Sequence, residues 1–203
     1  MPVVVARDHD PSTPDPHEPQ HMTPNDAARQ IDTLVGNHLL LPHFQPIANL
    51  QSPTIYGYEA LIRGSSGSGL TSPSALFEMA RLGGRLIELE HHCCRSAIRY
   101  FMHYREPGKL LVNLSPAALI AMTTQQGPDL VSTCNEWGLL PSRLIIELTE
   151  HDRVSDLSTL QRSIATLRKA GVGLALDDFG DGHASLRIWK ELAPDLVKID
   201  KYF

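Results

Sequence analysis

The chain has few cysteines, no excess of basic residues and no long apolar run. Its three cysteines form neither a CxxC pair nor an even set, which is typical of a reducing compartment. The formal net charge of −5 and the pI near 6.0 argue against a broad electrostatic grip on nucleic-acid phosphates. The start lacks a secretory pattern, and no apolar run is long enough to span a bilayer. The sequence therefore predicts a cytoplasmic protein without membrane insertion and without a nucleic-acid polymer as partner.

The first 22 residues differ in composition from the rest. They hold five prolines among Asp, His and Glu, and cannot bury enough apolar surface to offset the entropy of ordering. We expect a disordered Pro/His-rich tail over 1–22 and one folded domain over 23–203. Thr23, Pro24 and Asp26 form a capping-box-like start for the first helix of that domain.

Strand and helix patterns alternate along the folded part. Strand candidates lie near 43–48, 55–62, 109–114, 143–149, 172–178 and 195–200. Helical patterns cover 74–82, 85–104, 156–170 and 185–192, and another opens at Ser115-Pro116 and is interrupted near Gly127-Pro128. Repeating strand-helix units predict an α/β fold with a mostly parallel sheet.

Polar residues interrupt the apolar strand candidates near their carboxyl ends. They are Glu59 in YGYEALIR, Asn113 in LLVNLS, Glu147 in LIIELTE, Asp177 in VGLALDDFG and Lys198 in LVKID. A carboxylate embedded in such a run is costly to bury unless it is paired or bound to a metal. Because a parallel barrel brings strand ends together, we expect these groups to converge.

The converging residues offer oxygen ligands. Carboxylates with one amide oxygen favour Mg²⁺ or Mn²⁺ over zinc, and two ions could share Asp177 and Asp178. Two such ions can bind a phosphodiester and activate a water, while Lys198 orients the water or neutralises developing charge. The pattern predicts metal-dependent hydrolysis of a phosphodiester.

Five motifs in a fixed order resemble the EAL-domain cyclic di-GMP phosphodiesterases. They are EALIR at 59–63, VNLSP at 112–116, ELTE at 147–150, DDFGDGHASL at 177–186 and KID at 198–200, preceded by FQPI at 44–47. The resemblance implies a (β/α)8 TIM-type barrel that hydrolyses cyclic di-GMP to linear pGpG with two Mg²⁺ or Mn²⁺ ions. It also implies a homodimer as an assembly state, and a GGDEF or sensor domain as a neighbour in a longer parent.

The resemblance assigns roles to individual positions. The metal ligands are Glu59, Asn113, Glu147 and Asp177, with Asp178 helping to hold the second ion. The catalytic set is Glu59, Asp177, Asp178 and Lys198, in which Lys198 matches the lysine near the attacking water. Gln45, Leu61 and Arg63 match positions lining the dinucleotide site, and Glu150 matches a residue that supports the loop after Asp178.

The chain departs from the family pattern in three places. His183 stands where Tyr is common, and Gly64 stands where Trp often follows the arginine of the first motif. These changes bear on substrate affinity and loop control. Because the family barrel has eight strands and the sixth candidate ends near 200, we expect the barrel to be truncated after its sixth strand and the domain to be C-terminally incomplete.

Other interpretations stay open at this point. Taken alone, Glu59 or Glu147 is more typical of a strand end satisfied by backbone groups, and only their joint pattern favours a site. The sequence DDFG alone fits a turn or a kinase magnesium motif, although the other kinase signatures are lacking. A catalytically inactive EAL domain that acts as a cyclic di-GMP receptor or a protein-interaction module is the alternative function.

Overall fold

The computed structural model describes residues 22–64, 72–124, 129–149, 156–179 and 185–199. In chain order the elements are α1 (Pro24–Gly36), β1 (Leu40–Asn49), β2 (Thr54–Gly64), α2 (Pro73–Leu82), α3 (Leu86–Tyr104), β3 (Lys109–Asn113), α4 (Pro116–Ala121), α5 (Leu130–Trp137), a 3₁₀ turn (Pro141–Arg143), β4 (Leu144–Thr149), α6 (Leu157–Ala170), β5 (Gly173–Phe179), α7 (Ser185–Leu192) and β6 (Leu196–Ile199). The predicted tail lies outside the described residues except for residue 22, and the predicted loop residues Glu150 and His183 also lie outside them.

The six strands form one sheet in sequence order, from β1 to β6. Each pair from β2 to β6 is parallel, which confirms the predicted mostly parallel sheet. The first pair, β1 and β2, is antiparallel, a feature that the sequence pattern did not indicate. The four residues 50–53 connect these two strands, and a connection this short makes a hairpin rather than a crossover.

The helices begin and end largely where the sequence signals lie. Thr23 caps α1, because its hydroxyl oxygen accepts the Asp26 backbone N–H at 3.2 Å. The helix α6 ends at Gly171, whose φ of 97° belongs to the left-handed region. The helical pattern that opens at Ser115-Pro116 is divided into α4 and α5, as expected from the Gly-Pro interruption.

The sheet has two unlike faces. One face packs against the helices in the main core, to which Leu110, Val112, Leu144, Ile146, Leu174 and Leu176 contribute. The alternate residues Leu111, Ile145 and Ala175 form a separate small cluster. Because side chains alternate along a strand, the residues two positions further on point to this second face. Those residues are Asn113, Glu147 and Asp177.

The helix α3 packs against the sheet and against neighbouring helices. Its buried side chains include Cys94, Ala97, Ile98 and Phe101, and they pack among the residues of the main core. In the described part of the chain, no helix combines the length and the apolar character needed to cross a bilayer.

Candidate active site

Five adjacent strands each bring one polar side chain to the same region. These side chains are Glu59 of β2, Asn113 of β3, Glu147 of β4, Asp177 of β5 and Lys198 of β6. The sheet register places Asn113 directly opposite Glu147. One carboxylate oxygen each from Glu59, Glu147 and Asp177 lies within 4.8 Å of the others. The convergence expected from the sequence is therefore present in the structure.

The ammonium group of Lys198 lies between the three carboxylates. Its Nζ is 3.0 Å from a carboxylate oxygen of Glu59, 3.0 Å from one of Asp177 and 3.2 Å from one of Glu147. Burial lowers the pKa of Lys198, but attraction to the carboxylates, led by Glu147, outweighs burial and the net pKa is raised. Lys198 is therefore a cation that holds the acidic groups together.

Glu147 is the most buried member of the cluster. Its side chain is 0% exposed, and neither carboxylate oxygen has a hydrogen-bond partner among the described residues. The Lys198 ammonium lies 3.2 Å from one of these oxygens, close enough for an ion pair. Burial raises the pKa of Glu147 to about 7; Lys198 opposes this shift, and Glu59 and Asp177 add to it.

The buried oxygens of Glu147 provide a test of whether a metal fits. A carboxylate in this environment is stable only when a cation or a donor compensates it. Among the described residues, three carboxylates and one ammonium, that of Lys198, meet here. Oxygen ligands from carboxylates and an amide suit hard divalent cations. The residues present therefore fit the divalent ions that the sequence predicted.

The amide of Asn113 is oriented by Glu59. Its Nδ2 donates a hydrogen bond to Glu59 Oε1 at 3.0 Å. This bond directs the NH₂ end of the amide toward Glu59 and leaves the carbonyl oxygen, the end that a hard cation binds, for another partner.

The sheet is irregular where Asp177 and Asp178 lie. Leu176 pairs with Val197 and Phe179 pairs with Ile199, so two residues of β5 stand opposite Lys198 alone. This is the arrangement of a β-bulge, a feature that re-aims side chains near active sites. The backbone of Asp178 is part of β5, while its side chain is outside what the structure describes.

Two of the predicted substrate-binding residues line a cleft beside the cluster. Leu61 and Arg63 border a cavity of about 370 Å³ together with Asn113. Arg63 is half-buried and donates through Nη1 to the Ile62 carbonyl at 2.8 Å. Gln45 is exposed on β1, directly opposite Glu59 in the register. Leu61 and Arg63 thus share a cavity with Asn113, and Gln45 lies beside Glu59 in the sheet, while Glu150 falls outside the described residues.

One polar residue near the site was not predicted from the sequence. Glu90 of α3 is buried at 6% exposure and binds Ser115, two residues after Asn113. A signal was available, because Glu90 lies four positions before Cys94 on the stripe that continues through Ala97 and Phe101. A charge on the buried stripe of a helix requires a partner.

The fold and the strand-end cluster define the class of the protein: a TIM-barrel-type α/β domain with acidic groups gathered at the carboxyl ends of its strands. The chain belongs to the EAL domain family, whose profile matches residues 28–203. This establishes the family that the five motifs indicated.

Individual relatives agree with this assignment. The probable cyclic di-GMP phosphodiesterase PdeI of Escherichia coli is 31% identical over 169 residues, which cover 79% of this chain and 21% of PdeI. The YkuI protein of Bacillus subtilis, solved with its substrate c-di-GMP and calcium, is 25% identical with a TM-score of 0.72, covering 85% of this chain and 44% of YkuI. Klebsiella pneumoniae BlrP1, solved as a manganese/cyclic di-GMP complex, is 25% identical with a TM-score of 0.68. The match covers 81% of this chain and 41% of BlrP1.

The curated relatives are much longer than this chain. The chain spans between 21% and 29% of the length of eight curated relatives that it matches.

Proposed function

We propose that this EAL domain hydrolyses cyclic di-GMP to linear pGpG and depends on Mg²⁺ or Mn²⁺ for this reaction. The observation that carries the proposal is the buried carboxylate of Glu147, which lies among two further carboxylates and has the Lys198 ammonium at 3.2 Å as its ion-pair partner. A divalent cation would satisfy these oxygens. Cyclic di-GMP is the ligand named for the two solved relatives described above.

We assign the metal-holding role to the strand-end residues Glu59, Asn113, Glu147 and Asp177, with Asp178 as a further ligand for a second ion. When bound, the divalent ions supply Lewis-acid stabilisation of phosphoryl charge and a lower pKa for the attacking water. Glu59 accepts a hydrogen bond from Asn113, so these two ligands orient each other.

Lys198 contributes positive charge to the reaction centre. Its ammonium lies 3.0 Å from both Glu59 and Asp177 and is only partly buried, with 32% of its side chain exposed. From this position it can orient the attacking water or stabilise a phosphoryl oxygen as negative charge develops. Hydrolysis adds one water across one phosphodiester, breaks the bond from phosphorus to the 3′ oxygen and leaves a 5′ phosphate.

The substrate-holding role falls to residues at the edge of the cluster. Arg63 is suited to a phosphate because its guanidinium offers a planar fork of donors. Leu61 lies beside it on the wall of the cleft, and Gln45 stands on the neighbouring strand opposite Glu59. These three positions would hold the dinucleotide while the carboxylates hold the cations.

The test is chromatographic turnover of cyclic di-GMP by the purified chain with Mn²⁺. We expect Mn²⁺-dependent formation of pGpG, with the product lost in Glu59→Gln and after chelation. Glu136→Gln is the matched control, because Glu136 is an exposed carboxylate that pairs with Arg95 away from the site, and it should keep wild-type turnover.

The other outcomes separate the alternatives. Folded protein that binds cyclic di-GMP by calorimetry and yields no pGpG would be a receptor. Folded protein with neither binding nor turnover would contradict both nucleotide functions and leave a protein-interaction module. Product that persists in Glu59→Gln would point to a contaminating enzyme.

A further inference from the structure

Glu90 presents a buried charge that the assigned roles do not use. It is 6% exposed and lies on the buried stripe of α3 that continues through Cys94, Ala97 and Phe101. Both of its carboxylate oxygens accept hydrogen bonds from one residue, Ser115. The Ser115 backbone N–H donates to Oε1 at 3.2 Å, and the Ser115 hydroxyl donates to Oε2 at 2.6 Å. The hydroxyl bond has the length of a strong bond to a carboxylate, whereas the backbone N–H bond is longer.

Ser115 belongs to the turn that connects β3 to α4. Its hydroxyl oxygen also accepts the Ala118 backbone N–H at 3.2 Å, which caps the N-terminus of α4. The preceding residue, Leu114, donates its backbone N–H to the Glu147 carbonyl at 3.0 Å. The turn is therefore bound on one side to the strand of Glu147 and on the other side to Glu90.

Asn113 is the residue immediately before this turn. Its amide Nδ2 donates to Glu59 Oε1 at 3.0 Å, and one residue, Leu114, separates its backbone from the Ser115 bonds to Glu90. An apolar side chain at position 90 would fill similar space without the cost of burying a charge. The carboxylate adds directional hydrogen bonds, because it accepts both the backbone N–H and the hydroxyl of Ser115.

We infer that Glu90 is a positioning residue that holds the Asn113 amide in the active site through Ser115. The inference rests on the proposed function for the metal-binding role of Asn113, whereas the geometry of the turn stands independently of it. Residues that orient metal ligands in this way commonly change metal affinity by 10- to 100-fold when they are replaced.

The first test observes Asn113 without metal or substrate. Its side-chain amide signals in an ¹H–¹⁵N spectrum are identified by their loss in Asn113→Ala. We expect Glu90→Leu to shift or broaden these signals and Glu90→Gln, which keeps one acceptor oxygen, to restore them in part. Ile98→Val is the matched control, because Ile98 is fully buried on the same helix and is not part of the turn. Unchanged Asn113 signals in a folded Glu90→Leu protein would overturn the inference.

The second test measures Mn²⁺ affinity in a double-mutant cycle. Glu90→Leu should weaken binding about tenfold or more in the wild-type background and less than about twofold in the Asn113→Ala background. Equal losses in both backgrounds would overturn the inference. If Glu90→Leu fails to fold, Glu90→Gln carries the same cycle with a smaller expected loss. A wild-type chain that binds no Mn²⁺ would refute the proposed function, while the Asn113 signals would still decide the positioning role.

Discussion

The ammonium of Lys198 occupies the place where carboxylates from three strands converge. It contacts Glu59, Glu147 and Asp177 at 3.0 to 3.2 Å. It compensates part of their charge, and on the proposed function the same three carboxylates also hold a divalent ion. We therefore expect Lys198 to stabilise the metal-free protein and to weaken its affinity for a metal.

Replacement of Lys198 by Met separates these two effects. We expect Lys198→Met to lower the free energy of unfolding of the metal-free protein by roughly 1–3 kcal/mol, since it leaves buried carboxylates uncompensated. Mn²⁺ affinity should rise because the competing ammonium is gone, while turnover should fall by about 100-fold or more. Urea unfolding, calorimetry and chromatography measure the three quantities.

Lys109→Met is the control for this change, since the Lys109 ammonium donates to the Ser142 carbonyl and is remote from the carboxylates. It should leave Mn²⁺ affinity unchanged. A Lys198→Met protein with weaker Mn²⁺ binding than wild type would contradict the competition between ammonium and metal.

Replacement of Glu147 by Gln tests the buried carboxylate itself. The neutral amide removes repulsion from Glu59 and Asp177 and lowers the cost of burial. We expect the metal-free melting temperature to stay equal or rise, while the stabilisation that Mn²⁺ gives the wild type is lost. Differential scanning fluorimetry with and without Mn²⁺ measures both. A Glu147→Gln protein that Mn²⁺ stabilises as strongly as wild type would argue against Glu147 as a ligand.

At the scale of the secondary-structure elements, the close contact of β2 with β3 sets the position of Glu59. Gly57 lies two residues before Glu59, and a Cβ on it would meet the Lys109 carbonyl oxygen at 2.5 Å. Gly57 pairs with Lys109 in the parallel register, so this approach is part of the strand pairing. A side chain at position 57 would push the two strands apart.

We therefore expect Gly57→Ala to lower the free energy of unfolding by about 1–3 kcal/mol and to weaken Mn²⁺ binding through Glu59. Gly36→Ala is the matched control, because no atom lies within 4 Å of a Cβ at Gly36 and its helical backbone accepts alanine. Urea unfolding of both variants measures the effect. Equal stability of the two variants would contradict the close approach.

The start of α6 offers a test of pH dependence away from the active site. Asp156 accepts hydrogen bonds from the Thr159 backbone N–H and hydroxyl and from the Ser158 hydroxyl, which lower its pKa from 3.8 to about 2. The carboxylate cap stabilises the fold above pH 3.8, and this contribution is lost as the pH falls toward 2. Asp156→Asn should melt below wild type at pH 6, with the difference shrinking between pH 4 and 2. A difference that is independent of pH would contradict the charged cap.

At the scale of the whole molecule, the alternation of strand and helix patterns predicted the layered fold well. The spacing of apolar residues and the capping residues such as Thr23 determine structure over only a few positions. They can therefore be read directly from the sequence. The direction of β1 was not predicted, because an alternating strand reads the same in a parallel or an antiparallel pair. Only the shortness of the connection at 50–53 carried that information.

The sequence also predicted only part of the candidate site. Carboxylates inside apolar strands stand out in a sequence, so the convergence of Glu59, Glu147 and Asp177 was predictable. The hydrogen bonds of Glu90 were not, because they join α3 to a turn 25 residues away and depend on tertiary packing. Lys198 contacts Glu59, which lies 139 residues earlier in the chain. The sequence suggested a role for Lys198 but did not show which residues it contacts.

Anomalous scattering of Mn²⁺ in crystals of the chain grown with cyclic di-GMP tests the proposed metal site directly. We expect Mn²⁺ peaks about 2.0–2.6 Å from oxygens of Glu59, Asn113, Glu147 and Asp177, with a phosphate of the dinucleotide on the open side. Crystals that bind cyclic di-GMP and show no Mn²⁺ at these oxygens, or show it elsewhere, would refute the metal-holding role of these residues.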